Sequence, residues 1–266
     1  MNTKNRQSGI TAIIPSRYGS SRFEGKPLAS VAGKPMIQRV YEQALKSEKI
    51  ETVIVATDDD RIFRAVEKFG GKAILTESTL RSGTDRVAQA TTLLGLAPDD
   101  IVVNIQGDQP LFNPACIDEM LAPFVTEPMV MMSTLAFKII NLCEITDPKD
   151  VKVVLDKDGY ALYFSRSRIP FLRDGGTLDG EISEGETRVN YYKHLGFYAY
   201  RKSFLDRIAT LPEGTLENIE KLEQLRVLEY GYRIKVVITS HDSLEVDIPE
   251  DIVKIENSLL KKSVES

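Results

Sequence analysis

The sequence has no tryptophan, two cysteines and two histidines, and its 34 lysines and arginines are outnumbered by 39 aspartates and glutamates. Each shortage excludes something. Cys116 and Cys143 are too few for a disulfide framework in 266 residues and lack the paired spacing of a zinc site, so a reducing cytosol is the expected compartment. A net charge of -5 leaves nothing that draws the whole chain to nucleic acid or an anionic membrane, so an anionic ligand must meet a local basic cluster. No stretch approaches the roughly 18 apolar residues of a membrane span. Met1 to Gly9 is polar and resembles neither a secretory signal nor a targeting helix, so a soluble, cytoplasmic protein is expected. The composition, 42% hydrophobic and 27% charged, is that of an ordinary globular chain with one large domain or two small ones.

Short β-rich runs alternate with helical ones. Ile10–Ile14, Val53–Ala56, Ala73–Leu75 and Ile101–Ile105 have the apolar density of buried strands. Met36–Leu45, Arg61–Phe69, Val87–Leu94 and Cys116–Phe124 carry apolar positions three or four apart, and Gly70-Gly71 and Gly95 supply stops. This alternation predicts a parallel sheet whose ligand crevice lies beyond the carboxyl ends of the strands. The second half differs, with strands expected at Val130–Lys138, Val151–Asp156, Tyr160–Phe164 and Leu195–Tyr200. A charged helix is expected at Glu217–Tyr230, a strand at Ile234–Ile238 and a closing helix opened by Pro249. Residues 174–190 hold hardly any apolar side chain and read as an exposed excursion.

The loop after the first strand is the most informative segment. Arg17, Arg22 and Lys26 fall within ten residues, interleaved with Gly19 and Gly25 and followed by Gly33 and Lys34. Glycines let backbone amides approach phosphate oxygens, and the cations neutralise charge that would repel a nucleophile. Alone, the segment is equally a solvated basic turn; its place after the first strand of a parallel sheet favours the phosphate cradle. It is no P-loop, because its spacer is one residue too long and Pro27 stands where a Ser or Thr should be. No dinucleotide fingerprint follows the strand either, which argues against hydride transfer. Asp108 and Asp247 lie 139 residues apart yet both can reach the crevice, where two hard carboxylates suit Mg²⁺. On their own, Asp108 is also a good turn residue and Asp247 a good helix cap. Ser82 and Thr84 are candidate helix caps, and Asp85 with Arg86 is as readily a structural ion pair as a ligand set. No Ser-His-Asp or Cys-His pair is apparent, so direct displacement is simpler than a covalent enzyme intermediate.

Seven segments carry a family resemblance in unbroken order: IIPSRYGSSRFEGKPL (13–28), SGTDR (82–86), NIQGDQP (104–110), ALYFSRSRIPF (161–171), YKHLGFYAY (192–200), KLEQLRVLEYG (221–231) and VDIPEDI (246–252). Together they resemble the 3-deoxy-manno-octulosonate (Kdo) cytidylyltransferases, or CMP-Kdo synthetases, from Ile10 to about Leu260. The resemblance implies a single α/β domain over 10–260 with a mostly parallel, Rossmann-like sheet flanked by helices, of the nucleotide-diphospho-sugar transferase type. Residues 10–128 and 232–260 would form its nucleotide-binding core, and 129–231 a sugar-binding and dimerisation extension. It implies a cytosolic, Mg²⁺-dependent, usually homodimeric enzyme that couples CTP to the sugar and releases diphosphate for lipopolysaccharide assembly.

By position, the resemblance puts Arg17, Arg22 and Lys26 on the phosphates, Ser82, Gly83 and Thr84 on the cytosine, and Asp108 and Asp247 on Mg²⁺. Arg17, Lys26, Asp108 and Asp247 are thereby the expected catalytic set. Activation of the anomeric hydroxyl is expected to fall to the metal. Arg166 and Arg173 would meet the sugar's acidic oxygens, and Gln106, His194, Tyr198, Glu223 and Gln224 its hydroxyls. His194, beside apolar Leu195, is assigned to binding and not to proton transfer. Leu222, Leu225 and Leu228 are expected to face the core and leave Glu223 and Gln224 on a neighbouring helix face; simple solvation of that face is the alternative. Three departures from the commonest family pattern stand out: Gln109 in place of Glu, Leu80-Arg81 in place of His-Gln, and Ser243-Leu244-Glu245 before Val246-Asp247. They resemble a subgroup that activates the 8-amino form of the sugar, whose ammonium would reward an extra carboxylate such as Glu245. The alternatives are another CMP-sugar synthetase, such as an acylneuraminate cytidylyltransferase, or a non-catalytic CTP-binding protein.

Overall fold

The computed structural model describes residues 8–19, 23–173 and 190–265. The chain divides into two compact units. Met1–Asp118, Phe197–Ala209 and His241–Ser266 form the first; Glu119–Gly196 and Thr210–Ser240 form the second. No helix among the described residues is long and apolar enough to cross a membrane.

In the first unit, Ile10–Ser16 is flanked by Thr52–Thr57 and Ile101–Asn104, both parallel to it, and Ala73–Leu75 continues the parallel pairing beyond Thr52–Thr57. Ala12, Ile13 and Ile14 are fully buried, as a strand covered on both faces requires. Residues 198–201 of strand Tyr192–Arg201 run antiparallel on Ile101–Asn104, so this mostly parallel α/β sheet carries one antiparallel strand. The helices Met36–Ala44, Asp60–Lys68 and Gly83–Leu93 follow the predicted apolar periodicity. Gly83–Leu93 starts four residues before Val87, because Ser82 Oγ accepts the Asp85 amide at 3.1 Å and nucleates the first turn there. The helix expected over Cys116–Phe124 is instead two, Pro114–Leu121, whose last residues already belong to the second unit, and Pro123–Thr126 within that unit, since Pro123 has no amide hydrogen to continue the ladder. Helix Lys202–Thr210 was not anticipated, although Phe204, Leu205 and Ile208 show helical spacing and all three are buried.

In the second unit, Met132–Lys138 pairs in parallel with Lys235–Thr239, and Lys152–Leu155 pairs antiparallel with Ala161–Ser165. The helix expected over Glu217–Tyr230 breaks at Lys221, which adopts a left-handed φ of 55°, giving Thr215–Glu220 and Gln224–Glu229. A two-pronged ion pair joins the pieces: Arg226 Nε donates to Glu217 Oε2 at 2.7 Å and Nη2 to Oε1 at 2.6 Å, both side chains being buried. His194 packs edge-on against Phe164 with ring centroids 5.1 Å apart, and its Nε2 shares a hydrogen bond with Thr134 Oγ1 at 2.8 Å. Burial pushes its imidazole from the ordinary 6.5 down to about 3.

Two expectations follow. Arg226→Ala leaves the Glu217 carboxylate buried without its cation and is expected to cost about 3–5 kcal/mol, read as a lowered denaturant midpoint at constant slope. For His194, the unfolded chain binds the extra proton below pH 6.5 while the folded chain does not, so stability contributed by the neutral ring is lost as the pH falls from 6.5 towards 3. The ring resonances of His194 should stay flat between pH 5 and 8 in NMR titration, and His194→Gln should flatten the acid limb of the stability profile. A midpoint near 6.5 in the folded protein contradicts this account.

Candidate active site

Three loops at the carboxyl ends of parallel strands gather in the first unit, and glycine makes their approach feasible. A Cβ on Gly107 would lie 3.1 Å from Ser16 Oγ and 3.4 Å from the Pro15 carbonyl, and one on Gly83 would lie 3.7 Å from the Pro15 ring. The backbone after Ile10–Ser16 is therefore flanked by the Asn104–Pro110 segment and by the start of helix Gly83–Leu93. A side chain at 107 would push Pro15 and Ser16 away.

Lys26 is delivered to this junction by the loop itself. Gly25, at a φ of 69°, donates its amide to the Tyr18 carbonyl at 2.9 Å and opens the short 3-10 helix Lys26–Leu28. From there the Lys26 ammonium donates to Asp108 Oδ2 at 2.7 Å and to the Val246 carbonyl at 3.0 Å, while the Val246 amide donates to the Asp108 carbonyl at 2.9 Å. Asp247 is the next residue, and its own amide donates to Asp251 Oδ2 at 3.1 Å. Lys26, Asp108 and the segment leading into Asp247 are thus brought together from far-apart parts of the chain. Arg17 is exposed, and Arg22 lies outside the described residues.

Tyr18 and Arg61 were not singled out by the sequence. The Arg61 guanidinium lies 3.2 Å from the centroid of the Tyr18 ring and is fixed by a two-pronged pair with Asp59 at 2.9 and 2.7 Å. This stack holds the base of the cationic loop against helix Asp60–Lys68; its only sequence trace is an aromatic residue beside Arg17. Ser82 does cap its helix, as one of its two readings required, and Thr84 is half-buried on the first turn. Arg86 pairs with Asp58 at 2.9 Å and hydrogen-bonds Thr76 Oγ1, so the ion pair of this segment is made with Asp58. Gln106 is half-buried beyond strand Ile101–Asn104, and Tyr198, buried and stacked on Tyr200, pairs with Asn104 two residues before it.

The remaining expected sugar residues, Arg166, Arg173, His194, Glu223 and Gln224, belong to the second unit. Arg166 Nε donates to the Glu220 carbonyl at 2.8 Å and Nη1 to the Pro148 carbonyl at 3.0 Å, which caps the end of helix Thr215–Glu220. Arg173 is exposed at the edge of the described residues, and most of the 174–190 excursion falls outside them. The break at Lys221 changes what Glu223 and Gln224 present. Glu223 is exposed, whereas Gln224 is buried and its Nε2 has no hydrogen-bond partner. Among the described residues, no group of three or more His, Cys, Asp or Glu side chains is arranged to hold a metal on its own.

The chain matches the cytidylyltransferase family model over residues 11–236. It is 60% identical over 252 residues to a 3-deoxy-manno-octulosonate cytidylyltransferase of Desulfatibacillum aliphaticivorans, covering 95% of this chain and 98% of the relative. It is 53% identical over 251 residues to an 8-amino-3,8-dideoxy-manno-octulosonate cytidylyltransferase of Shewanella baltica, covering 94% and 98%. A CMP:2-keto-3-deoxy-manno-octonic acid synthetase solved in complex with CTP superposes with a TM-score of 0.86 at 39% identity, over 96% of this chain and all of that one. The matched length and these identities together make the chain a member of the cytidylyltransferase family, on the branch of the octulosonate enzymes.

Proposed function

We propose that the chain transfers CMP from CTP to the anomeric hydroxyl of 3-deoxy-D-manno-octulosonate or of its 8-amino analogue, releasing diphosphate. The observation that carries this reading is the Lys26 ammonium held 2.7 Å from Asp108 and 3.0 Å from the carbonyl preceding Asp247. A cation and a carboxylate meet there, at the residue next to Asp247 and beside loops that glycine keeps open. A triphosphate brings about four negative charges to such a place, and the same charges must be stabilised as diphosphate departs.

Lys26 supplies that stabilisation, with Arg17 and Arg22 from the same loop. Ser82 Oγ already accepts the Asp85 amide, so its hydroxyl proton remains to donate to a cytosine acceptor, with Gly83 and Thr84 offering backbone groups. Asp108 and Asp247 offer oxygen ligands and would hold Mg²⁺, which completes its shell with water and phosphate oxygens. When bound, Mg²⁺ would supply Lewis-acid stabilisation to those oxygens. In the second unit a neutral His194 can hydrogen-bond a sugar hydroxyl but cannot neutralise a carboxylate, which leaves that task to Arg166 and Arg173. The unpartnered Nε2 of Gln224 is a donor that a sugar oxygen would satisfy, and Gln106, Tyr198 and Glu223 complete the proposed hydroxyl contacts. The product would enter lipopolysaccharide assembly in the cytoplasm, with the enzyme acting as a homodimer through its 129–231 extension.

A coupled diphosphate-release assay with CTP, Mg²⁺ and each sugar tests the reading. Turnover with one or both is expected, and none with either rejects it. Lys26→Ala and Asp247→Asn should each lower kcat/KM by about 10²–10³-fold, the size of losing one preorganised charge contact.

A further inference from the structure

Gln109 directly follows Asp108 and is only 1% exposed, yet the displacement chemistry gives it no part. Its Nε2 donates to Glu245 Oε1 at 3.0 Å, and its Oε1 accepts from Ser243 Oγ at 2.6 Å. Both partners belong to the stretch that ends in Asp247. That stretch, residues 241–247, has neither helix nor strand to hold it. Position therefore depends on individual bonds: Gln109 fixes residues 243 and 245, the Asp108 carbonyl fixes 246, and Asp251 holds the amides of Asp247 and Ile248 at 3.1 and 3.2 Å.

The amide is chemically matched to its partners. One end must donate, to a carboxylate, and the other must accept, from a hydroxyl. A Glu at 109 would set a second carboxylate against Glu245, and an apolar side chain would remove both hydrogen bonds. We infer that Gln109 is a positioning residue that sets the placement of Asp247 relative to Asp108, and through it the affinity of the pair for a divalent cation. This rests on the reading that those two aspartates hold the metal. Residues that orient metal ligands commonly change metal affinity by about 10–100-fold when removed.

The test is Mn²⁺ binding to the full chain with CTP and no sugar, followed by water-proton relaxation, beside thermal unfolding of each variant. Gln109→Met keeps the volume and removes both hydrogen bonds; Ser243→Ala removes one, and Ser243→Thr keeps the hydroxyl. Mn²⁺ affinity should fall about 10-fold in Gln109→Met and measurably in Ser243→Ala, with Ser243→Thr close to the parent and the double variant no weaker than Gln109→Met alone. Asp247→Asn separates the two claims. If it leaves Mn²⁺ affinity unchanged, the metal assignment itself is wrong; if it weakens binding while Gln109→Met and Ser243→Ala do not, the positioning role is overturned. Should Gln109→Met fail to fold, equal affinity in Ser243→Ala and Ser243→Thr overturns it equally.

Discussion

An ammonium group with two oxygen partners organises the first unit. Lys26 reaches Asp108, 82 residues on, and the carbonyl of Val246, 220 residues on, and the last two are joined by their own backbone hydrogen bond. The side chains of the pair are partly exposed, at 17% and 27%, so the ion pair adds little to stability on its own. Its consequence is geometric. Three segments that nothing in local sequence relates are tied at one point, and the third has no regular structure of its own. Gly25 makes the tie possible by turning the loop through a left-handed φ, and Gly107 by letting the Asp108 loop lie against Ser16.

The parallel strands were legible because each is a short apolar run, and Ile10–Ser16, Thr52–Thr57 and Ile101–Asn104 are mostly buried, a pattern few other elements produce. Ala73–Leu75 agrees residue for residue, and the others differ by one or two positions. Apart from helix Lys202–Thr210, whose apolar residues do show helical spacing, what escaped was information that does not repeat with a period. Lys221 breaks a helix whose apolar spacing runs through it unbroken, and neither Gly nor Pro marks the place. The partner of Arg86 is Asp58, 28 residues earlier, while Asp85 beside it looked equally apt. At the candidate site, Lys26 and Asp108 were recognisable as chemistry, but their pairing at 2.7 Å was not, because distances across a fold are set by loops whose course no pattern specifies. Gln109 was visible only as a departure from a family pattern, and its bonds to Ser243 and Glu245 explain why an amide can stand there.

The buried polar groups fall into two kinds. Arg226 with Glu217, and Arg86 with Asp58 and Thr76, are met on every side the fold presents to them, as buried charges must be. Among the described residues, Ser16 Oγ, Asn104 Oδ1, Asp150 Oδ2 and Gln224 Nε2 are among the buried atoms without a hydrogen-bond partner. Such atoms are rare in folded proteins because each forgoes a hydrogen bond that water would have supplied. Ser16 lies against Gly107 at the end of the first strand, Asn104 ends the strand that leads to Gln106 and Asp108, and Gln224 carries a proposed sugar contact. Those three sit in or beside segments that the proposed reading assigns to substrate, whereas Asp150 does not.

The low pKa of His194 bears on the choice between the two sugars. An imidazole held neutral down to about pH 3 presents no charge at working pH, so in the proposed sugar site it would neither attract the sugar's carboxylate nor repel an ammonium at its eighth carbon. A protonated ring would have done both, penalising the amino sugar and competing with Arg166 and Arg173 for the acid. With that charge removed by burial, the proposed preference for an ammonium would rest on a carboxylate. Glu245 in the first unit is exposed and is the carboxylate proposed for it. The same Gln109 amide that steadies the approach to Asp247 also fixes one of the Glu245 oxygens. In the proposed reading, one buried side chain thus touches both the approach to Asp247 and a carboxylate offered for the amino sugar.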